Sequence, residues 1–161
     1  MAMQYDVKSA HMTASGVAYS ERTRIKGAVL SPNSTAAKNV IFANNVAQNG
    51  TYDIPGSTVC TVTITSHGLA NGARIWADFT SGSGTTDNVY TVANATANTF
   101  TITTASLTTS GNISVYSDVL LEVDCYNPTS FNVIIPGEGV LAENGIYAGV
   151  PANVTATVFY G

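Results

Sequence analysis

Few side chains in this sequence have the type and spacing to do chemistry. Ser66 and His67 adjoin in Ser66-His-Gly-Leu69, a hydroxyl beside a base. Adjacent residues at a strand end point to opposite faces, and the other histidine, His11, lies far off near the start of the sequence, so this spacing builds no hydrogen-bonded nucleophile and base. Both histidines read as turn or packing residues. The nearest pairs of carboxylates, the raw material of acid/base catalysis, are Glu122 with Asp124 and Glu138 with Glu143. On a strand Glu122 and Asp124 share one face, and Arg22, Arg24 and Lys26 share another at i, i+2 and i+4. A cross-strand ion ladder, or contact with a complementary subunit, accounts for both sets without catalysis. Pro136-Gly-Glu-Gly-Val140 is glycine-rich but lacks the spacing of a phosphate loop and reads as a turn. Cys60 and Cys125 belong to no CxxC or Cys/His cluster; they read as two buried thiols, with a bridge between them as the alternative. No catalytic residue, metal ligand or cofactor site is assigned.

The composition narrows the functional classes further. Charged residues make up 10% of the 161 positions and hydrophobic ones 45%, so a real core is available while the surface must be polar and largely uncharged. A net charge of −4 argues against direct binding to nucleic acid, which needs clustered cations. No run reaches the length of a membrane span, and the first residues carry no signal-peptide core, so a protein made in a cytoplasm and without a membrane partner is expected.

The elements that would position these residues are strands. Val119 to Cys125 alternates Val119, Leu121, Val123 and Cys125 against Glu122 and Asp124, and Asn153 to Tyr160 puts Val154, Ala156, Val158 and Tyr160 on one side. Gly16 to Leu30, Val40 to Asn44 and Phe131 to Ile135 read as further strands; Gly139 to Ala148 has room for one helical turn. Between them lies a different composition. Residues 55–116 hold 15 threonines and only three charged residues, Arg74, Asp78 and Asp87. Strands are expected at Thr58 to Thr65, Arg74 to Phe79, Asn88 to Val92, Thr99 to Thr103 and Ile113 to Tyr116, separated by Gly- and Asn-rich turns. The expected fold is all-β: an antiparallel sandwich or jelly-roll-like frame over 1–54 and 117–161, with a small five-stranded β-barrel module over 55–116 inserted between two of its strands.

The runs Val62 to Arg74, Asp78 to Gly82, Asn88 to Val92 and Asn98 to Ile102 resemble a small β-barrel module that recurs in bacteriophage virion proteins and is likened to a half-domain of ubiquitin-activating enzymes. Through Gln4 to His11, Arg22 to Gly27, Pro136 to Tyr147 and Val158 to Gly161, the frame resembles short structural proteins of marine tailed phages, whose middle holds a variable module. The resemblance implies a component of the virion.

The function expected on these grounds is structural: a capsid decoration or cement protein without enzymatic activity, docked on the major capsid protein and on copies of itself. Candidate contacts are the N-terminal arm around Tyr5, the cations Arg22, Arg24 and Lys26, and the apolar residues Leu141, Ile146, Tyr147, Phe159 and Tyr160. One alternative is a tail, neck or fibre-anchoring piece that meets portal or tail proteins. The other is a carbohydrate-binding module for a host glycan, with Trp76, Tyr90 and Tyr116 stacking on sugar rings.

Overall fold

The computed structural model describes residues 7–126 and 129–161, and every regular element in it is a strand. The chain separates into two compact units, residues 1–45 with 120–161, and residues 46–119.

In chain order the first unit opens with β1 (Lys8–Met12), β2 (Gly16–Tyr19), β3 (Thr23–Pro32) and β4 (Lys38–Asn44). The second unit contributes β5 (Gln48–Thr63), β6 (Arg74–Phe79), β7 (Asn88–Thr91) and β8 (Thr99–Tyr116). The first then resumes with β9 (Val119–Cys125), β10 (Phe131–Ile134), β11 (Val140–Ala142), β12 (Ile146–Gly149) and β13 (Val154–Tyr160).

The first unit is a jelly roll. One sheet runs β1-β13-β3-β10, with β11 also on β3, and the other runs β2-β12-β4-β9. Taken as pairs, β4 with β9, β3 with β10, β2 with β12 and β1 with β13 are nested, so the strands form one long antiparallel hairpin rolled into two layers. Alternation makes the core. β13 buries Val154, Ala156, Val158 and Tyr160 on one face, and these pack with Ile25 and Leu30 of β3 against Val40 and Phe42 of β4 and Ile146 of β12. Each fully buried side chain of this size contributes roughly 1.5–3 kcal/mol relative to exposure. The stretch read as one strand from Gly16 to Leu30 is two strands in opposite sheets, broken at Ser20 to Arg22 where the chain crosses between layers. Gly139 to Ala148 holds no helical turn; it is β11, a turn at Gly145 and β12.

The second unit is built on one long ribbon. β5 and β8 pair antiparallel from Gln48 with Val115 to Thr63 with Thr99, and both bend where the register slips, around Pro55 to Val59 and Thr103 to Leu107. Gly56 makes the bend possible with φ +77°. Beyond the bend β8 meets β6 with its second half, β6 meets β7, and Ala93 after β7 bridges back to Thr101 in the first half of β8. The ends of β5 also meet, since a Cβ at Gly50 would overlap Thr63 O. The ribbon thus rolls into a small barrel around Ile54, Cys60, Val62, Ile75, Phe100, Ile102 and Val115. All five expected runs are present, but they belong to four strands, and the unit starts at Val46 instead of Pro55. The reason is that β5 passes through Pro55-Gly56 as a bend without ending there.

Closure at Gly50 gives a test. Gly50→Ala is expected to destabilise the barrel by about 1–3 kcal/mol through backbone overlap, read as a fall in the urea midpoint; an unchanged midpoint would mean that the ends of β5 do not meet.

Candidate assembly surface

Arg24 and Lys26 stand on β3 with Ile25 between them pointing into the core, so both lie on the outer face of the sandwich. There β3 pairs with two short strands in line, Leu141 of β11 opposite Arg24 and Ile134 of β10 opposite Gly27. The turn between β10 and β11, through Pro136-Gly-Glu-Gly139, takes positive φ at Gly137 and Gly139 and leaves carbonyls outside the ladder. The cations cover them. Lys26 Nζ donates to Glu138 O at 2.9 Å and Arg24 Nη1 donates to Gly139 O at 3.3 Å. Arg22 Nε lies 3.8 Å from Glu143 Oε2, with both side chains more than 60% exposed, a pair that adds little stability in water.

The expected ladder between these cations and Glu122 with Asp124 is not what forms. β9 belongs to the other sheet, and there Asn39 Nδ2 donates to Glu122 Oε1 at 3.2 Å and to Asp124 Oδ1. Same-face spacing within each strand was legible, but which strands are neighbours is set by the roll.

Three shallow cavities border the β3 sheet, two on its outer face and one at its end, where Tyr19 of the other sheet reaches Tyr160. One of about 230 Å³ is bounded by Arg22, Arg24, Glu138 and Leu141, and one of about 200 Å³ by Lys8, Tyr19, Arg22 and Tyr160. Tyr19 and Tyr160 pack with ring centroids 4.7 Å apart at a tilt of 32°, and Lys8 Nζ sits 6.0 Å from the centroid of the Tyr19 ring. The third, about 270 Å³, lies between Lys26, Gly27, Ile134 and Phe159. Four of the six Lys and Arg residues, namely Lys8, Arg22, Arg24 and Lys26, thus border these cavities in a chain of net charge −4.

The remaining candidates divide by burial. Phe159 and Leu141 are half-buried at this surface. Ile146 and Tyr160 are core residues, and Tyr147 is buried as well, so none of the three is available to a partner. Tyr5 lies outside the described residues. Ile134, outside the expected set, is at 82% the most exposed large apolar residue of the described chain. Its signal was present: in Phe131-Asn-Val-Ile-Ile135 the alternation that turns Phe131, Val133 and Ile135 one way leaves Ile134 facing the other.

The sugar-stacking set fails on geometry. Trp76 is 0% exposed and Tyr116 is buried, while Tyr90, opposite Ile75, turns into the barrel and donates its hydroxyl to Thr86 O at 2.6 Å. No aromatic face of the three is open to a sugar ring. His67 is buried in its turn: Leu69 N–H donates to Nδ1 at 3.0 Å, Nε2 lies 3.3 Å from Thr99 O, and the ring meets Phe100 edge to face. With both nitrogens engaged by main chain, it is a structural histidine. The described residues contain no group of three His, Cys, Asp or Glu able to hold a metal ion, and no helix long and apolar enough to cross a membrane. Comparison with protein-family models, curated proteins and solved structures finds no match to this chain.

Two titrating groups of the barrel yield predictions. Both cysteines are free and buried, and burial, reinforced by Asp53, pushes the Cys60 thiol up to about 12. On the order of a thousandfold less thiolate than in an ordinary thiol follows. Thiol titration of the native protein at pH 8 should therefore leave Cys60 unreacted until denaturant is added, and rapid native reaction would contradict its burial. Asp87 accepts Phe79 N–H at 2.8 Å, but burial outweighs that bond and raises its pKa, with Asp78 adding to the rise. Its protonated form is then favoured on folding, so this contribution is whole below pH 3.8 and is lost as pH rises through the folded value. Asp87→Asn keeps an acceptor without the charge. Urea unfolding should show the variant gaining on wild type between pH 3 and pH 7; a constant difference would refute the shift.

Proposed function

We propose that this chain is a non-enzymatic structural protein of a phage virion, a decoration or cement protein of the head, whose jelly-roll frame docks and has the barrel inserted in its sequence. The observation that carries the reading is the division of labour in the topology: a complete jelly roll interrupted only at the tip of its nested hairpin, between β4 and β9, by a second unit with its own core. Jelly rolls serve as shell and lectin domains, and fold by itself does not fix function. The surface adds the support of chemistry. The outer face of the β3 sheet offers Arg24 and Lys26, with Arg22 just before the strand, beside half-buried Phe159 and Leu141 and exposed Ile134, a mixture suited to a protein surface with carboxylates around an apolar centre. Phosphate backbones are a poorer fit, since Glu138 and Glu143 sit within the same cluster.

In this reading weak contacts per copy become persistent through repetition on the lattice. The major capsid protein and neighbouring copies are the partners, and the virion is the location. The test is addition of purified protein to tailed-phage heads that lack it and to isolated tails. Binding to heads that saturates at a symmetric number of copies, and that weakens as salt rises, is the expected result. Saturable binding to tails instead would move the protein to the tail or neck, and binding to neither would overturn the proposal.

A further inference from the structure

The free edge of the frame beside the third cavity has its own logic. β10 is the last strand of its sheet, and among the described residues no strand covers its outer side. Ile135 N–H donates to Lys26 O at 3.1 Å, so by the two-residue repeat Phe131, Val133 and Ile135 spend their main-chain groups on β3. Asn132 and Ile134 therefore direct theirs outward. The side chains follow the same parity, with Asn132 and Ile134 exposed on the outer face.

Edge strands are usually guarded by charge. β1 carries Lys8 and His11 and β9 carries Glu122 and Asp124, but no residue from Phe131 to Ile135 is charged. Gly27, opposite both Ile134 and Phe159, deepens the adjoining cavity because it has no side chain; a Cβ there would lie 2.6 Å from Val133 O. The edge is thus short, neutral and apolar, next to a hollow of about 270 Å³.

We propose that two copies of this chain pair through β10, antiparallel about a two-fold axis at Val133, so that the sheet of one copy continues into the other. Directly opposed residues must share a face and must both direct their main-chain groups outward. Centring on Val133 satisfies both conditions, setting Asn132 of each copy against Ile134 of the other. Centring on Ile134 would oppose Asn132 to Pro136, which has no N–H to give, and centring on Asn132 would leave Ile134 against Ser130, outside the strand. An acidic partner is less suited to this edge, where Lys26 is the only cation lining the hollow. The inference rests on the self-contact part of the proposed function and names its surface.

Sedimentation equilibrium of the full chain, up to about 1 mM to reach weak affinities, tests it. Wild type should dimerise. Ile134→Lys should weaken dimerisation by about tenfold or more, as should Ile134→Pro, which removes an outward N–H and leaves the ladder to β3 intact. Val17→Lys, at the other uncharged edge, β2, should not. Amide exchange supplies a readout free of mutation: Asn132 and Ile134 should become protected as concentration rises, while Phe131 and Val133 stay protected throughout. A wild type that stays monomeric would overturn both this inference and self-contact. A dimer indifferent to Ile134 and to concentration-linked protection would overturn this inference alone, and head binding is read separately in either case.

Discussion

The pairing of Gln48 with Val115, where β5 and β8 begin and end the inserted unit side by side, is the constraint on which this architecture depends. A unit can be spliced into a hairpin only if its entry and exit are neighbours, because adjacent strands lie about 4.8 Å apart. The tip of the nested hairpin, between β4 and β9, is the place that asks for such a pair of ends while leaving β3 with β10, β2 with β12 and β1 with β13 undisturbed. Every other feature is downstream. The frame keeps its core of Ile25, Leu30, Phe42, Ile146 and Val158, and the barrel keeps a core of its own around Cys60, Val62, Phe100 and Ile102.

Scarcity of charge shapes the rest. With 16 Lys, Arg, Asp and Glu residues in the whole chain (6 + 10), several of the few charges are used to satisfy main-chain groups. Arg24 and Lys26 cover carbonyls of the Pro136 to Gly139 turn, and Asp87 holds Phe79 N–H at the mouth of the β6–β7 loop. Threonine hydroxyls and asparagine amides do the remaining work, as in Thr96 bonding to Thr99 and Asn94 to Thr101. On the outer face of the β3 sheet this leaves Arg24 and Lys26 beside half-buried Phe159 and Leu141 and exposed Ile134.

Much of this was legible in the sequence wherever one strand face is buried. Alternation placed Val154, Ala156, Val158 and Tyr160 in the core, and threonines opposite Cys60 and Val62 outside it, because a period of two leaves no ambiguity on a half-buried strand. Three things escaped, each for a physical reason. The change of composition at Pro55 suggests a unit boundary, yet β5 runs through it with a register slip, and the unit begins nine residues earlier, at Val46 (55 − 46). The ladder between the Arg22, Arg24 and Lys26 row and Glu122 with Asp124, one of two alternatives, does not form, because neighbouring strands are chosen by the roll and not by spacing along the chain. The burial of Trp76, a stacking residue in the alternative sugar-binding reading, is not legible because alternation sets it opposite Ile75 and Ala77, while in the fold both sides of β6 are buried.

The central claim, two separately closed β units joined at a hairpin tip, is tested most directly by cutting them apart. Thermal unfolding would be followed for residues 46–119 alone and for the frame with 46–119 replaced by a two-residue hairpin turn. The account predicts a cooperative transition for each piece. An unstructured frame or an unstructured barrel would contradict it.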